Sequence, residues 1–278
     1  MPELPEVEYG RKLAADVALG QTMTSVVCAD DPIVFCNLKP DRAHAKLFGR
    51  RVDAVKRRGK YLWFELDERP WPVFHFGMTG SFRSPERAPL QLESSAREAE
   101  PEWPPRFTKI HMTFSGGGEL VMTNARRLGR ISFHQDPRTE PPISKLGFDP
   151  LTDMPAAAEF SSQLEKRRGT LKGLLLNQAF AAGVGNWIAD EVLYQAGLDP
   201  RRPAQSLSPQ EAQTLHHTLS EIIGFAVSVD AQKDRFPESW LFHHRWGKET
   251  DAQTARGETI EFLTVAGRTT AWVPQAQS

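Results

Sequence analysis

Cysteine is almost absent: the 278 residues hold only Cys28 and Cys36, and none follows Cys36. So few thiols exclude a disulfide framework and fit a reducing compartment, with both side chains expected to serve as packing residues. No run of about 18 apolar residues is available to span a bilayer. No basic segment followed by an apolar one opens the chain as a secretory signal would, so a soluble, non-secreted protein without membrane partners is expected. Net charge is scarce too, at -1. That excludes a globally basic polyanion binder but leaves local patches open, because phosphate binding depends on where charge sits.

What is present is ordinary globular composition, with 40% hydrophobic and 25% charged residues, enough for a sizeable core. The length favours two domains. Charge is unevenly placed: Arg50, Arg51, Lys56, Arg57, Arg58 and Lys60 cluster with only Asp53 among them, while acids gather at Glu93 to Glu102 and Glu249 to Glu261. A solvated face is the plain explanation of such a cluster, and a phosphate contact the sharper one.

Val7, Leu13, Ala14 and Val17 recur at helical spacing and predict a helix from Glu3 to Ala18, with Pro5 tolerated in its first turn. Strand-like runs follow: "MTSVVCA", "RVDAV", "KYLWFEL", "PVFHFGM", "KIHMTFS" and "ELVMTNA". "SGGG" at Ser115 to Gly118 joins the last two as a hairpin. Strands without intervening helices predict a β-sandwich or barrel to about Phe133. The proline- and charge-rich stretch Ser84 to Arg106 reads as an exposed loop without chemistry.

The period then turns helical, which divides the chain into a domain over 1–135, a linker over 136–155 and a second domain over 156–278. Helices are expected at Glu159 to Lys166, Leu171 to Gln178 and Trp187 to Ala196. A fourth starts at Ser208, which caps it, with Pro209 in the first turn and Glu211 completing a capping box. "ETIEFLTVAGRTTAWVP" returns to strand-like text as a small hairpin. The fold class is therefore α+β.

Two places carry chemistry. In "AAGVGNWIADE", Gly183 and Gly185 precede Asn186, read as the N-cap of the next helix; backbone amides at such a terminus suit phosphate, although a tight packing turn is the plainer reading. At the other end, removal of Met1 would leave Pro2 as a free secondary amine. An α-amine near pKa 8 is substantially neutral at working pH and can form an iminium with an aldehyde carbon, while Glu3 beside it can move protons.

"MPELPEVE", "RRGKYLWFEL", "FGMTG", "GVGNWIADEVLYQAGLDP" and "AGRTTAWVP", in this order and spanning nearly the whole chain, resemble the formamidopyrimidine-DNA glycosylase and endonuclease VIII family, most of all its plant and fungal members. The resemblance implies a bifunctional base-excision repair enzyme, active as a monomer on damaged double-stranded DNA lying in a cleft between the two domains. It implies an N-terminal helix on a β-sandwich, then a helical domain with a helix-two-turn-helix and a hairpin finger over about 240–278. A nuclear location follows from the eukaryotic likeness, or the bacterial cytoplasm for a prokaryotic source.

By the same resemblance Pro2 attacks C1′ of the damaged nucleotide, Glu3 protonates the sugar ring oxygen and Glu6 faces the same pocket. Lys60, Asn186 and Arg268 bind phosphate at the lesion, Lys60 and Arg268 also assisting β- and δ-elimination, while Arg58 is a neighbour of Lys60. Lys172 matches a lysine at the domain cleft. Met78, Arg126 and Leu128 match residues that fill the void left by an extruded base, Leu128 standing in place of the usual phenylalanine and stacking less well.

Two departures matter. Bacterial relatives hold the finger with four cysteines around zinc; here Val273 and Gln275 stand near where ligands belong, so no metal or other cofactor is expected and Phe262, Val265 and Trp272 should hold the hairpin. The segment "VDAQKDRFPESWLFHHRWGKE" is shorter than the loop that caps 8-oxoguanine in those relatives. This favours hydantoins, formamidopyrimidines, oxidised pyrimidines and abasic sites over 8-oxoguanine. His243 and His244 within it suit either DNA contact or a structural role. The rival reading, a damage-binding module without catalysis, is opposed by the intact Pro2 and Glu3.

Overall fold

The computed structural model describes residues 1–91, 102–247 and 251–278. The middle of the loop expected at Ser84 to Arg106, and Lys248 to Thr250 at the end of the shortened segment, lie outside the described residues. Two compact units form. The first holds Met1–Lys145 with Asp230–Lys233, and the second holds Leu146–Val229 with Asp234–Ser278.

The first unit starts with α1 (Leu4–Ala18), followed by β1 (Met23–Cys28), α2 (Pro40–Leu47), β2 (Val52–Arg58), β3 (Tyr61–Leu66), β4 (Trp71–His75), β5 (Ser81–Arg83), β6 (Thr108–Phe114), β7 (Glu119–Thr123) and β8 (Arg130–His134). Two four-stranded antiparallel sheets result, ordered β1-β6-β7-β5 and β2-β3-β4-β8. Alternation on β6, where Ile110, Met112 and Phe114 are buried, is what a sheet with one covered face requires.

Both sheets and α1 feed one apolar core that includes Val7, Leu13, Val26, Leu62, Phe64, Phe74, Met112 and Met122. Phe82 on the short β5 meets Phe64 and Phe74 of the other sheet at centroid distances of 6.0 and 5.1 Å. Three elements lacked a sequence signal: α2, β5 and β8. α2 buries only Ala43 and Leu47, too thin an apolar stripe to show periodicity.

The second unit contains α3 (Ala157–Glu165), α4 (Leu171–Leu176), α5 (Asn186–Gln195), α6 (Pro209–Ser228) and a hairpin of β9 (Glu261–Val265) and β10 (Arg268–Trp272). The capping box of Ser208 and Glu211 forms as expected. Residues 136–155 are no slack tether. Ile143 belongs to the first unit's core, and in the second unit the Phe148 ring stands edge-on to Phe160 and Phe180. The described ends of the long loop are also anchored, Trp103 donating to Glu119 at 2.8 Å and Arg87 pairing with Asp16 at 2.7 Å.

The cysteines divide. Cys28 is half-buried against the core, and burial pushes its thiol up to about 12. Cys36 is exposed in a turn at φ 52°, so the packing role expected of it does not hold.

Candidate functional site

In the first unit the chemistry begins where α1 begins. Glu3 is the N-cap, and it forms a capping box with Glu6: the Glu3 N–H donates to Glu6 Oε2 at 2.9 Å, and the Glu3 carboxylate accepts from the Glu6 backbone. This reciprocal pair satisfies two helix-start amides and holds both carboxyls inward. Pro2, Glu3 and Glu6 are all buried, Glu3 with only 2% of its surface exposed. Burial, and then the charge of Glu3, push Glu6 up to about 7 against the opposing pull of the backbone hydrogen bonds. At neutral pH Glu6 therefore exchanges a proton readily.

Lys60 lies in a two-residue hairpin turn next to α1. Arg58 pairs with Tyr61 across β2 and β3, and Gly59 takes φ 55°, as the first position of such a turn demands. The turn is tied to α1 by a buried ion pair, Arg57 Nε to Glu8 at 2.8 Å, while Arg57 Nη1 donates to the Gly59 carbonyl at 3.0 Å. Lys60 is 91% buried by this packing, its exposure being 9%. Close approach of α1 to the sheet needs Gly10, where a Cβ would stand 2.8 Å from the Phe76 ring.

His75, at the end of β4, has no counterpart in the sequence reading. Burial, with the charges of Lys60 and Arg130, lowers it to about 4, so its ring is neutral and able to donate a hydrogen bond without adding charge.

Met78 and the pair Arg126 and Leu128 sit on two loops that one side chain joins. Asn124 Nδ2 donates to the Phe76 carbonyl at 2.8 Å, and its Oδ1 accepts from the Gly129 N–H at 3.1 Å. Contact is so close that a Cβ on Gly77, which has φ 65°, would lie 2.4 Å from the Leu128 carbonyl carbon. Arg127 is turned away and fixed by Asp31, with bonds of 2.9 and 3.0 Å. Arg126 and Leu128 are left exposed, Leu128 at 44%. Asp31 also accepts from Lys109 at 2.9 Å, and these partners overcome burial to hold its carboxyl well below the usual range.

In the second unit, Gln178 pins the glycine loop, accepting from the Gly183 N–H at 3.0 Å and donating to the carbonyls of Leu176 and Val184 at 2.9 and 2.8 Å. Gly185, not Asn186, is the N-cap of α5; Asn186 is its first helical residue. That corrects the expected cap and frees the Asn186 amide for another partner, the Thr269 carbonyl at 2.9 Å. Arg268 follows a two-residue turn in which Ala266 and Gly267 have φ 50° and 72°, the I′ geometry of tight hairpins, and it is exposed at the hairpin tip.

Lys172 differs most from its expected role. It is fully buried, and its ammonium donates to Asp190 Oδ1 at 2.5 Å, Thr270 Oγ1 at 2.8 Å and the Thr269 carbonyl at 3.1 Å. An ammonium carries three hydrogens, so Lys172 holds the hairpin and does not reach for DNA. Asp190 in turn accepts from Arg245 Nη2 at 2.6 Å and from the Ala271 N–H at 3.2 Å.

Next to it Glu191 accepts from the N–H groups of Leu241 and Phe242 at 3.2 and 2.7 Å; burial pushes it up to about 7. His243 and His244 engage the carbonyls of Phe236 and Glu238 at 3.3 and 3.4 Å, which gives both a local structural role.

A tetrahedral thiolate site does not fit the hairpin. Val273 is fully buried among Tyr194, Leu241, Ile260 and Ala271, in an apolar patch. Ile260, Ala271 and Val273 form the patch that holds the hairpin; of the expected trio, Phe262 packs against it and Val265 is buried. The Trp272 ring instead carries the Arg201 guanidinium 4.1 Å from its centre.

The predicted residues thus divide between the two units, seven in the first (Pro2, Glu3, Glu6, Lys60, Met78, Arg126 and Leu128) and three in the second (Lys172, Asn186 and Arg268). Family models described as the formamidopyrimidine-DNA glycosylase N-terminal domain and its H2TH domain match residues 1–131 and 146–238. A formamidopyrimidine-DNA glycosylase from Arabidopsis thaliana is 40% identical over 277 residues, covering all of this chain and 71% of that protein. One from Thermus thermophilus is 36% identical, covering all of this chain and 98% of that one.

Among solved structures, a Thermus thermophilus protein of this kind superposes with a TM-score of 0.76 at 35% identity, over 99% of this chain and 98% of that one. The Lactococcus lactis enzyme bound to DNA containing an abasic site superposes with a TM-score of 0.79 at 26% identity, over 99% of each chain.

Proposed function

Because the chain belongs to the formamidopyrimidine-DNA glycosylase family and is accordingly a DNA glycosylase of base-excision repair, we propose that it is bifunctional, using the amine of Pro2 to excise an oxidised base and then to nick the strand. The observation that carries this reading is the burial of Pro2, Glu3 and Glu6 together at the head of α1, with Glu6 raised to about 7.

With Met1 removed, the lone pair of Pro2 attacks C1′ of the extruded nucleotide as the glycosidic bond breaks and the base leaves with its electrons. The Pro2 nitrogen gives its N–H proton to the departing base, Glu3 delivers a proton to the ring oxygen, the sugar opens as the nitrogen lone pair forms the C1′ iminium, and the iminium acidifies the protons on C2′. Loss of a C2′ proton then expels the 3′ phosphate, and a second elimination expels the 5′ phosphate. Glu6, near neutrality, relays protons for Glu3. Lys60 in the first unit and Asn186 and Arg268 in the second hold the phosphates, with Arg126, Met78 and Leu128 occupying the space the base vacates. The shortened segment before the hairpin favours hydantoins, formamidopyrimidines and oxidised pyrimidines over 8-oxoguanine. The enzyme works as a monomer, without zinc, and in the nucleus.

Borohydride trapping tests this on duplexes bearing an abasic site, a hydantoin or 8-oxoguanine. Protein whose mass shows loss of Met1 is expected to form a covalent complex that Pro2→Gly weakens and a chemically blocked N-terminal amine abolishes, with 8-oxoguanine the poorest of the three. Retained binding without trapping on any duplex would leave a damage-binding module. Because Pro2→Gly still leaves a primary amine at the N-terminus, it is trapping by protein with a blocked N-terminal amine that would move the nucleophile elsewhere.

A further inference from the structure

A two-stranded hairpin is marginal on its own in water, yet β9 and β10 must present Arg268 at a fixed point. We propose that Lys172, Asp190 and Arg245 form a buried ionic clasp that locks β10 to α4 and α5 and sets Asn186 and Arg268 in one register for DNA phosphate. The inference rests on reading those last two residues as phosphate contacts.

Each of the three residues after Arg268 is tied to the clasp. The Thr269 carbonyl accepts from both Lys172 Nζ and Asn186 Nδ2, at 3.1 and 2.9 Å. The Thr270 hydroxyl accepts from Lys172 at 2.8 Å and donates to the Arg268 carbonyl at 3.2 Å. The Ala271 N–H donates to Asp190 at 3.2 Å. Asp190 stands between the two cations, and the side chains of Lys172, Asp190 and Arg245 are 0%, 0% and 5% exposed.

Buried ion pairs add little net stability compared with apolar packing, because desolvation offsets their attraction; their best-attested use is to choose one register. A register is what this hairpin needs. Its apolar patch is small, and a slip of one residue would turn every side chain to the opposite face. Directional bonds to three successive residues forbid that slip. A shared acceptor at Thr269 also couples the orientation of the Asn186 amide to the position of Arg268.

The test uses the whole protein and a duplex carrying a tetrahydrofuran abasic analogue, with affinity measured across salt concentrations. Lys172→Met keeps Asp190 paired with Arg245. It is expected to weaken binding roughly tenfold, the worth of one charge-assisted contact, and to reduce the slope of log affinity against log salt by about 0.9. Combined with Arg268→Ala it should weaken binding no further than Arg268→Ala alone. Thr270→Val, which removes one acceptor, should show the same pattern more weakly, and it covers the case in which Lys172→Met fails to fold. Additive losses, or an unchanged slope, would overturn the clasp.

Should Arg268→Ala itself leave affinity and slope unaltered, the phosphate reading of Arg268 fails, and amide exchange decides the clasp. Faster exchange at Thr269 to Ala271 in Lys172→Met supports it, and unchanged exchange overturns it. A melting temperature insensitive to a zinc chelator is expected, and a fall would also count against the clasp.

Discussion

Two buried charged clusters sit at opposite ends of the sequence and are built on opposite plans. At the head of α1, Glu3 and Glu6 are bound to each other's backbone, and burial raises the proton affinity of Glu6 until it titrates near neutrality. In the second unit, Asp190 lies between Lys172 and Arg245, its oxygens taking bonds from both cations and from β10. One cluster is poised to change its protonation, and in the other the charges are paired and bonded in fixed directions. On the proposed reading, one chain uses buried charge for chemistry in one place and for position in another.

The sharpest way to break the comparison is Glu3→Gln. It should slow base excision about 10²–10⁴-fold in single-turnover assays, the usual range for a general acid, while affinity for an abasic-analogue duplex stays within about twofold. A comparable loss of affinity would make Glu3 a binding group. Next in size, Asp190→Leu strands two buried cations and should cost about 3–5 kcal/mol in denaturant unfolding. Adding Lys172→Met and Arg245→Met should restore most of that stability but not DNA affinity, since an apolar core replaces the charges without replacing their direction.

Asn124→Ala is a smaller change. It leaves the Phe76 carbonyl and Gly129 N–H without their side-chain partner, for about 1–3 kcal/mol, and should raise amide exchange together in the two loops it joins; exchange confined to one loop would show that Asn124 does not couple them.

The smallest effect is a pH dependence. Glu6 binds its proton more tightly folded than unfolded, so its contribution to stability is greatest below about 4.5 and is lost as pH rises through about 7. Glu191 acts in the same direction. His75 acts oppositely, losing stability only as pH falls from 6.5 through about 4, so measurements at neutral to alkaline pH isolate the carboxyls. Glu6→Gln should therefore melt about 2–4 °C higher than wild type at pH 8 and show no advantage at pH 4.5. An equal gain at both pH values would point to packing.

Where a feature is local, it was legible in the sequence. The capping box of Ser208 and Glu211, the hairpin around Ser115 to Gly118 and the alternation of β6 each depend on residues a few positions apart. The Glu3 and Glu6 pair stood in the first turn of a helix that its apolar spacing marked. The clasp could not be read the same way. The resemblance gives Lys172 a place at the domain cleft, and its acceptors escape a local reading because they lie far along the chain, Asp190 at 18 and Thr270 at 98 residues' distance. Asn186 was read as a cap from its residue type, although the backbone gave that place to Gly185. His75 and Asn124 were hidden in strand text, where a polar residue is ordinary until its burial is known.

Asn124 has a mechanical consequence. Met78 on one loop and Leu128 on the other take their positions from a single amide that grips both backbones, with Gly77 and Gly129 leaving no slack between them. The loops cannot advance or retreat independently, so they behave as the two jaws of one rigid tool. If Leu128 fills the void as proposed, a substitution there changes the blade and not its mounting, because its side chain is exposed while the mounting is backbone held by Asn124.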